Sequence, residues 1–160
     1  MPLTTRLATP ADADAICRIY NQGIEDRLGT FETRLRTVDD ITKWFDGVHP
    51  AVVAERDGAI VAFASTSTYR PRECYATIAE YSVYVERTAR GQGAGRAAMV
   101  ALIDEARAAG FHKLISRIFV ENATSRRLMR SLGFREVGTY IRHGMLDGVW
   151  RDVVIVELLL

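Results

Sequence analysis

The sequence predicts a single mixed α/β domain, with a central, mostly antiparallel sheet and helices packed against it. Three observations carry that expectation. A run rich in valine and tyrosine at 81–85 leads through glycines 91, 93 and 95 into an amphipathic helical pattern. Two Asp-Gly pairs, 57–58 and 147–148, each join β-prone runs in the manner of a hairpin turn. Strand-like and helix-like stretches alternate through much of the remainder.

With 160 residues, 48% hydrophobic and 26% charged, the chain is long enough for one sizeable core and too short for two ordinary domains. A formal net charge of +1 supplies no broad basic field, so neither nucleic acid nor an anionic membrane is expected as principal partner. No apolar run approaches the ~20 residues of a membrane span, and the first residues lack a charged-then-apolar leader pattern, so a cytoplasmic protein is expected. Cys17 and Cys74 have neither metal nor redox spacing, and no metal site is expected.

Taken in order, residues 4–8 alternate weakly as a first strand. Thr9 and Pro10 then supply an N-cap and a first-position proline for a helix reaching about residue 27. Ile16, Ile19, Tyr20 and Ile24 fall on one face of that helix, which makes Tyr20 a core residue. Residues 28–36 read as a loop containing Gly29 and Phe31. A Thr-x-x-Asp box at Thr37 opens a short helix over 37–45. Strands at 51–55 and 59–68 form the first hairpin, and a loop at 69–75 leads to a strand at 77–85. Met99, Leu102, Ile103 and Ala106 mark the buried face of the central helix, with Gly110 as its stop. A largely buried strand at 113–120, a helix at 123–132 and two last strands at 134–142 and 151–159 complete the sheet.

Strand, glycine loop and helix together favour a phosphate ligand. Glycines let backbone amides turn outward, and the helix N-terminus adds its unpaired N–H groups and the positive end of its dipole. The dinucleotide fingerprint would need glycine where Arg96 stands, and a Walker A loop would end in Gly-Lys-Ser/Thr, so neither applies. Arg90, Gly93 and Gly95 instead resemble the Arg/Gln-x-x-Gly-x-Gly/Ala signature of the Gcn5-related N-acetyltransferase (GNAT) superfamily. Downstream, Asn122, Ser125, Leu128, Leu132, Gly133 and Phe134 resemble its N-x-x-A/S-x-x-L-x-x-x-G-F segment. The resemblance implies the single-domain GNAT fold over residues 1–160, with acetyl-CoA as co-substrate. Val83, Tyr84 and Val85, the loop from Arg90 through Gly91, Gln92, Gly93, Ala94 and Gly95 to Arg96, and Asn122 with Ser125 would then hold it. Asn122 either caps its helix or bonds the pantetheine arm, and one side chain could do both.

Asn21, Ile24, Phe31, Arg72, Tyr75, Glu80, the Val83-Tyr84-Val85 run, Gly148, Trp150 and Asp152 resemble the phosphinothricin and arsinothricin N-acetyltransferase branch. That resemblance implies acetylation of the α-amino group of a glutamate-like antimetabolite, a resistance role and a homodimer. Other acceptors, such as methionine sulfone or sulfoximine, and a non-catalytic acyl-CoA-sensing module stand as alternatives.

An amine attacks a thioester only when neutral. An α-ammonium of pKa ~8 meets that condition in roughly one molecule in ten at pH 7, at a cost of about 1.4 kcal/mol. Glu80 is the expected base, and a backbone amide near Tyr84 or Val85 the expected oxyanion donor. Arg72, and after it Arg70, are candidate anion grips because a guanidinium can make two parallel hydrogen bonds to a carboxylate or phosphinate. Tyr75 and Phe31 are candidate pocket walls, with Phe31 equally suited to covering the core. Many superfamily members place a tyrosine acid where this chain has Met129. Either His143 or Tyr84 substitutes, or the thiolate leaves unassisted. Trp150 could serve in core, interface or pocket.

Overall fold

A computed structural model describes residues 2–160. The sheet has seven strands: β1 (Thr4–Leu7), β2 (Ala51–Arg56), β3 (Ala59–Thr68), β4 (Ile78–Val85), β5 (Lys113–Phe119), β6 (Arg135–Leu146) and β7 (Val149–Leu159). Their order is β1-β2-β3-β4-β5-β7-β6; β4 and β5 run parallel, and every other neighbouring pair is antiparallel. The α-helices are α1 (Ala13–Glu25), α2 (Val38–Thr42), α3 (Ala94–Ala108) and α4 (Ala123–Ser131). No helix among the described residues is long and apolar enough to cross a membrane.

Both faces of the sheet are covered, as the alternation of apolar residues requires. Val52 and Ala54, Ala62 and Ala64, Ala79 and Tyr81, and Val154 and Val156 face α3 and α4, where they meet Met99, Leu102, Ala106 and Met129. On the opposite face Val53 and Phe63 receive Ile16, Ile19, Tyr20 and Ile24 of α1 and Ile41 of α2. A smaller cluster on that side, Phe119, Leu146, Val153 and Ile155, packs under Phe31. Tyr20 is a core residue as its spacing predicts, 7% exposed.

Both Asp-Gly pairs make the expected turns. Asp57 and Gly58 have φ of 54° and 78°, Asp147 and Gly148 51° and 78°, the paired positive values of a type I′ hairpin. The last hairpin is longer than the sequence predicts. A register shift between Tyr140 and Gly144 is absorbed at Arg142, whose amide donates to the Asp152 carboxylate at 2.7 Å, and pairing then resumes to the turn.

Two helices begin or end differently from expectation. The first opens as a 3₁₀ turn at Pro10–Asp12, where Asp12 accepts the Thr9 amide at 2.8 Å and two Arg6 hydrogen bonds at 2.7 and 2.8 Å. The Arg6 bonds, aided by the Thr9 amide and opposed by burial, hold the Asp12 carboxyl below the usual carboxylate range. In α2 the Thr37–Asp40 box forms in both directions, but beyond Thr42 the chain tightens. Trp44 and Phe45 donate three residues back, to Ile41 and Thr42, so the helix stops short of residue 45.

Candidate active site

The site begins where the parallel ladder fails. Strands β4 and β5 pair only at Ile78–Lys113, Ala79–Leu114 and Glu80–Ile115. One residue further, the Ser116 hydroxyl donates to the Tyr81 carbonyl at 3.0 Å, a side chain doing what a backbone amide did below. Past that bridge the strands part. Among the described residues, the β5-facing edge of Ser82, Val83, Tyr84 and Val85 has no ladder partner, although β3 still pairs along the other edge. Main-chain groups left this way demand polar partners, so an extended polar ligand suits the gap.

A cleft of about 220 Å³ fills the split on the α3–α4 side, lined among others by Val83, Val85, Arg90, Gly95, Asn122 and Ser125. The glycine loop borders it through Arg90 and Gly95. Gly91 and Gly93 take φ of 78° and 90°, values a side chain would oppose, and Gly93 is the N-cap of α3. Gly95 matters for a different reason, because a Cβ there would stand 3.2 Å from Val85 Cγ2, and a bare backbone lets helix and strand approach. Arg90 is fixed by Asp26 at 2.8 Å. The Arg87 hydrogen bonds, more than those of Arg90, hold the Asp26 carboxyl below its ordinary range. Gln22 accepts the Arg87 amide at 2.8 Å and donates to Glu86 at 3.1 Å, so α1 braces the entire loop.

The side chains of Gln92 and Arg96 are engaged elsewhere. Gln92 accepts from Arg56 at 2.6 Å, and Arg96 reaches the Ser131 hydroxyl of α4 at 2.8 Å. What Gly91 through Arg96 offer a phosphate is their backbone N–H groups at the start of a 15-residue helix. Asn122 makes the cap, accepting the Ser125 amide at 3.1 Å, and its amide nitrogen reaches the Leu28 carbonyl at 3.4 Å.

A second cleft, about 490 Å³, opens on the other face of the same split, a volume suited to a small ligand. Phe31, Glu32, Glu80, Tyr84, Arg117 and Phe119 line it, and Tyr81, Ser82, Tyr84, Ser116 and Arg117 belong to both clefts. Strand alternation explains the division, because Tyr81, Val83 and Val85 pack toward α3 while Glu80 and Tyr84 point the other way. Phe31 meets Phe119 edge-on at 5.1 Å and lies so close to Gly144 that a Cβ there would be 2.7 Å from its ring. Glu32 accepts from Tyr20 and, at 2.6 Å, from Arg36. Burial opposes its charge, yet these bonds hold its carboxyl below the usual range.

Glu80, the last residue of the β4–β5 ladder, places its carboxylate in this second cleft, where Arg117 Nη2 donates to Oε1 at 3.0 Å. Arg117 Nη1 lies 3.3 Å from His143 Nε2. A guanidinium only donates, so that His143 nitrogen accepts and has no proton to give while the contact holds. Tyr84 is no freer as an acid. Its ring packs against Tyr20 at 4.9 Å and against the bare Cα of Gly23, and burial raises the affinity of its hydroxyl for the proton. Met129, fully buried, belongs to the core under α4.

Arg70, Arg72 and Tyr75 line neither cleft. The Arg70 guanidinium lies over the Tyr69 ring at 5.0 Å, Arg72 precedes a 3₁₀ turn at Glu73–Tyr75, and Tyr75 meets Tyr69 edge-on at 5.8 Å. Trp150 is 54% exposed on the last hairpin. Arg126 is committed to Glu136 through bonds of 2.8 and 3.0 Å. No motif in the sequence marks Arg117, Ser116 or Glu32. Arg117 left one signal, a charge in mid-strand on the same face as Ile115 and Phe119.

A sheet split between parallel neighbours, with a glycine-capped helix aimed at the opening and a carboxylate at its apex, is the architecture of an acyl-group transferase. The chain belongs to the acetyltransferase (GNAT) family, whose model matches residues 16–134. It is 33% identical over 160 residues to an L-methionine sulfoximine/L-methionine sulfone acetyltransferase of Salmonella typhimurium, covering 98% of this chain and 94% of the relative. Among solved structures it resembles a ribosomal-protein-alanine N-acetyltransferase from Brucella melitensis, with a TM-score of 0.93, 38% identity and coverage of 98% and 99%. It also resembles a phosphinothricin acetyltransferase from Sinorhizobium meliloti in complex with acetyl-CoA, with a TM-score of 0.92, 30% identity and coverage of 100% and 89%.

Proposed function

We propose that the protein transfers acetyl from acetyl-CoA to the α-amino group of a small amino acid of the methionine sulfone, methionine sulfoximine or phosphinothricin class, with Glu80 as general base. One observation carries the reading: the Glu80 carboxylate lines the second cleft at the last rung of the β4–β5 ladder, next to Tyr81, Ser82 and Ser116, which line both clefts. The first cleft suits the donor. Unpaired amides at the start of α3 would face the diphosphate, the open edge of Val83 to Val85 would bond the pantetheine amides, and Asn122 and Ser125 would close the side. The second cleft suits an amino-acid acceptor.

In the reaction, the acceptor ammonium first loses one proton. Its nitrogen then attacks the thioester carbonyl, the C–N bond forms, and Glu80 takes the proton shed by the nitrogen, directly or through water. A backbone amide at Tyr84 or Val85 would carry the charge developing on the carbonyl oxygen. The C–S bond breaks and CoA leaves as a thiolate whose pKa, about 8.5 by analogy with cysteine, makes unassisted departure feasible. With Met129 buried and the His143 nitrogen accepting from Arg117, unassisted departure is the mechanism the geometry supports best.

The role we assign is inactivation in the cytoplasm of a toxic amino acid, arsinothricin included. We also assign a homodimer, in keeping with the apolar side chains Ile141, Met145, Val149 and Trp150 exposed on the last hairpin. A second acceptor class enters through the likeness to the Brucella enzyme, the N-terminal alanine of a protein. Thiol release from acetyl-CoA with L-methionine sulfone, L-phosphinothricin, L-arsinothricin and an alanine-initiated peptide tests the reading. We expect the free amino acids to be fastest. Faster turnover of the peptide overturns the acceptor class, and CoA binding without acetylation of any amine overturns the enzyme.

A further inference from the structure

The second cleft holds two carboxylates, Glu32 and Glu80, and among the described residues lining it Arg117 alone is basic. We propose that Arg117 grips the α-carboxylate of the acceptor, and that in doing so it exchanges Glu80 for the ligand and releases the base. This rests on the amino-acid reading of the site.

The geometry of the ion pairs supports the exchange. Two arginines that hold structure use both prongs: Arg6 takes both oxygens of Asp12, at 2.7 and 2.8 Å, and Arg126 both of Glu136, at 2.8 and 3.0 Å. Arg117 gives Glu80 a single N–H, at 3.0 Å to Oε1, and spends a second on a 3.3 Å contact with His143. Two parallel hydrogen bonds make the firm guanidinium–carboxylate pair, so a ligand carboxylate can offer Arg117 more than Glu80 does. The side chain is 49% exposed and projects from β5 on the face of Ile115 and Phe119, one residue beyond the Ser116 bridge at which the strands separate. Glu32 has no comparable call on Arg117, being bonded to Arg36 and Tyr20.

The exchange couples recognition to chemistry. An acceptor without a carboxylate leaves Glu80 tied to Arg117. An amino acid frees the Glu80 oxygen that must take the amine proton and orients its own nitrogen beside it. Such a device favours free amino acids over peptide N-termini, whose first residue carries an amide in place of the carboxylate.

The test compares L-methionine sulfone with its α-carboxamide, in acetylation and in calorimetric binding to CoA-loaded protein, for the wild type, Arg117→Gln and Arg117→Lys. The wild type should prefer the acid at least ~tenfold, Arg117→Gln should reduce that preference to within ~twofold, and Arg117→Lys should keep part of it. Arg117 borders both clefts, so the KM for acetyl-CoA is measured in parallel: the loss of acid preference should exceed any rise in donor KM, and a change confined to the donor KM overturns the assignment. A preference that persists in Arg117→Gln, or a wild type that binds acid and amide alike, overturns the assignment. If binding discriminates through Arg117 while neither compound is acetylated, the anion grip stands and the proposed reaction falls. If acetylation is acid-selective but indifferent to Arg117, the reaction stands and the grip falls.

Discussion

The two clefts share strand β4 and differ in how they are made. The first centres on main chain, the open edge of β4 and the glycine turn that starts α3, with Leu28 and Gly29, Ser116 to Ile118 of β5, and the Asn122 cap and first turns of α4 closing round it. The second is built from side chains that come from the loop after α1, from β3, β4, β5 and β7. Backbone amides tolerate changes of side chain so long as the glycines remain, whereas a side-chain pocket changes its ligand with a single substitution. This division fits a protein whose donor is shared with a large family and whose acceptor is particular.

The most severe way to break the comparison is to remove the carboxylate at the last rung of the β4–β5 ladder. Glu80→Gln should lower kcat by about 10²–10⁴, with acetyl-CoA binding little changed, as read by thiol release and by calorimetry. If turnover is unaffected, the base lies elsewhere. Gly95→Val should act on the donor alone. Even a first added carbon meets Val85 at 3.2 Å, so forcing helix and strand apart should cost about 1–3 kcal/mol and raise the KM for acetyl-CoA at least ~tenfold. An equal rise for the acceptor would show that the clefts are not independent.

The mirror experiment is Gly144→Ala. Its Cβ would be 2.7 Å from the Phe31 ring, which must turn into or out of the second cleft. Acceptor KM should change several-fold while donor KM holds. Next in size is an effect outside both clefts but beneath α1, which braces one and borders the other. The Asp12 carboxyl is depressed by Arg6, so its contribution is present above the ordinary Asp value of ~3.9 and is lost as pH falls through the lower folded value. Asp12→Asn should therefore lower stability by about 2 kcal/mol at neutral pH, with the difference closing at strongly acidic pH. Thermal melts across that range decide it.

The smallest effect is expected at Tyr81, whose ring packs on Phe134 at 5.3 Å and whose buried hydroxyl has no partner among the described residues. Tyr81→Phe should leave stability unchanged or raise it by up to about 1 kcal/mol. A clear loss in thermal melting would mean that the hydroxyl has a partner in solution.

Much of this molecule is local, and local physics is readable in order along the chain. Glycines at 91 and 93 announce positive φ, Thr37 and Asp40 a capping box, the two Asp-Gly pairs tight hairpins, and Met99, Leu102 and Ala106 a buried helical face, all of which form. Asn122 was readable as a cap for the same reason, since its partner is three residues away. The extra length of β6 and β7 was not, because it depends on Asp152 satisfying the amide of Arg142 across the hairpin.

The sequence by itself determined the fold and the glycine turn ahead of α3, since each rests on neighbours in the chain or on a period of two or 3.6 residues, whereas Glu80 stood out only through resemblance to a family position. Tertiary structure alone decided which charges face the second cleft. It turned Arg70 onto Tyr69 and carried Arg117 from a strand 37 residues away to within 3.0 Å of Glu80. The reason is geometric: side-chain partners across a sheet are chosen by strand register and by where a ladder parts, and neither is written in the spacing of residues along one strand.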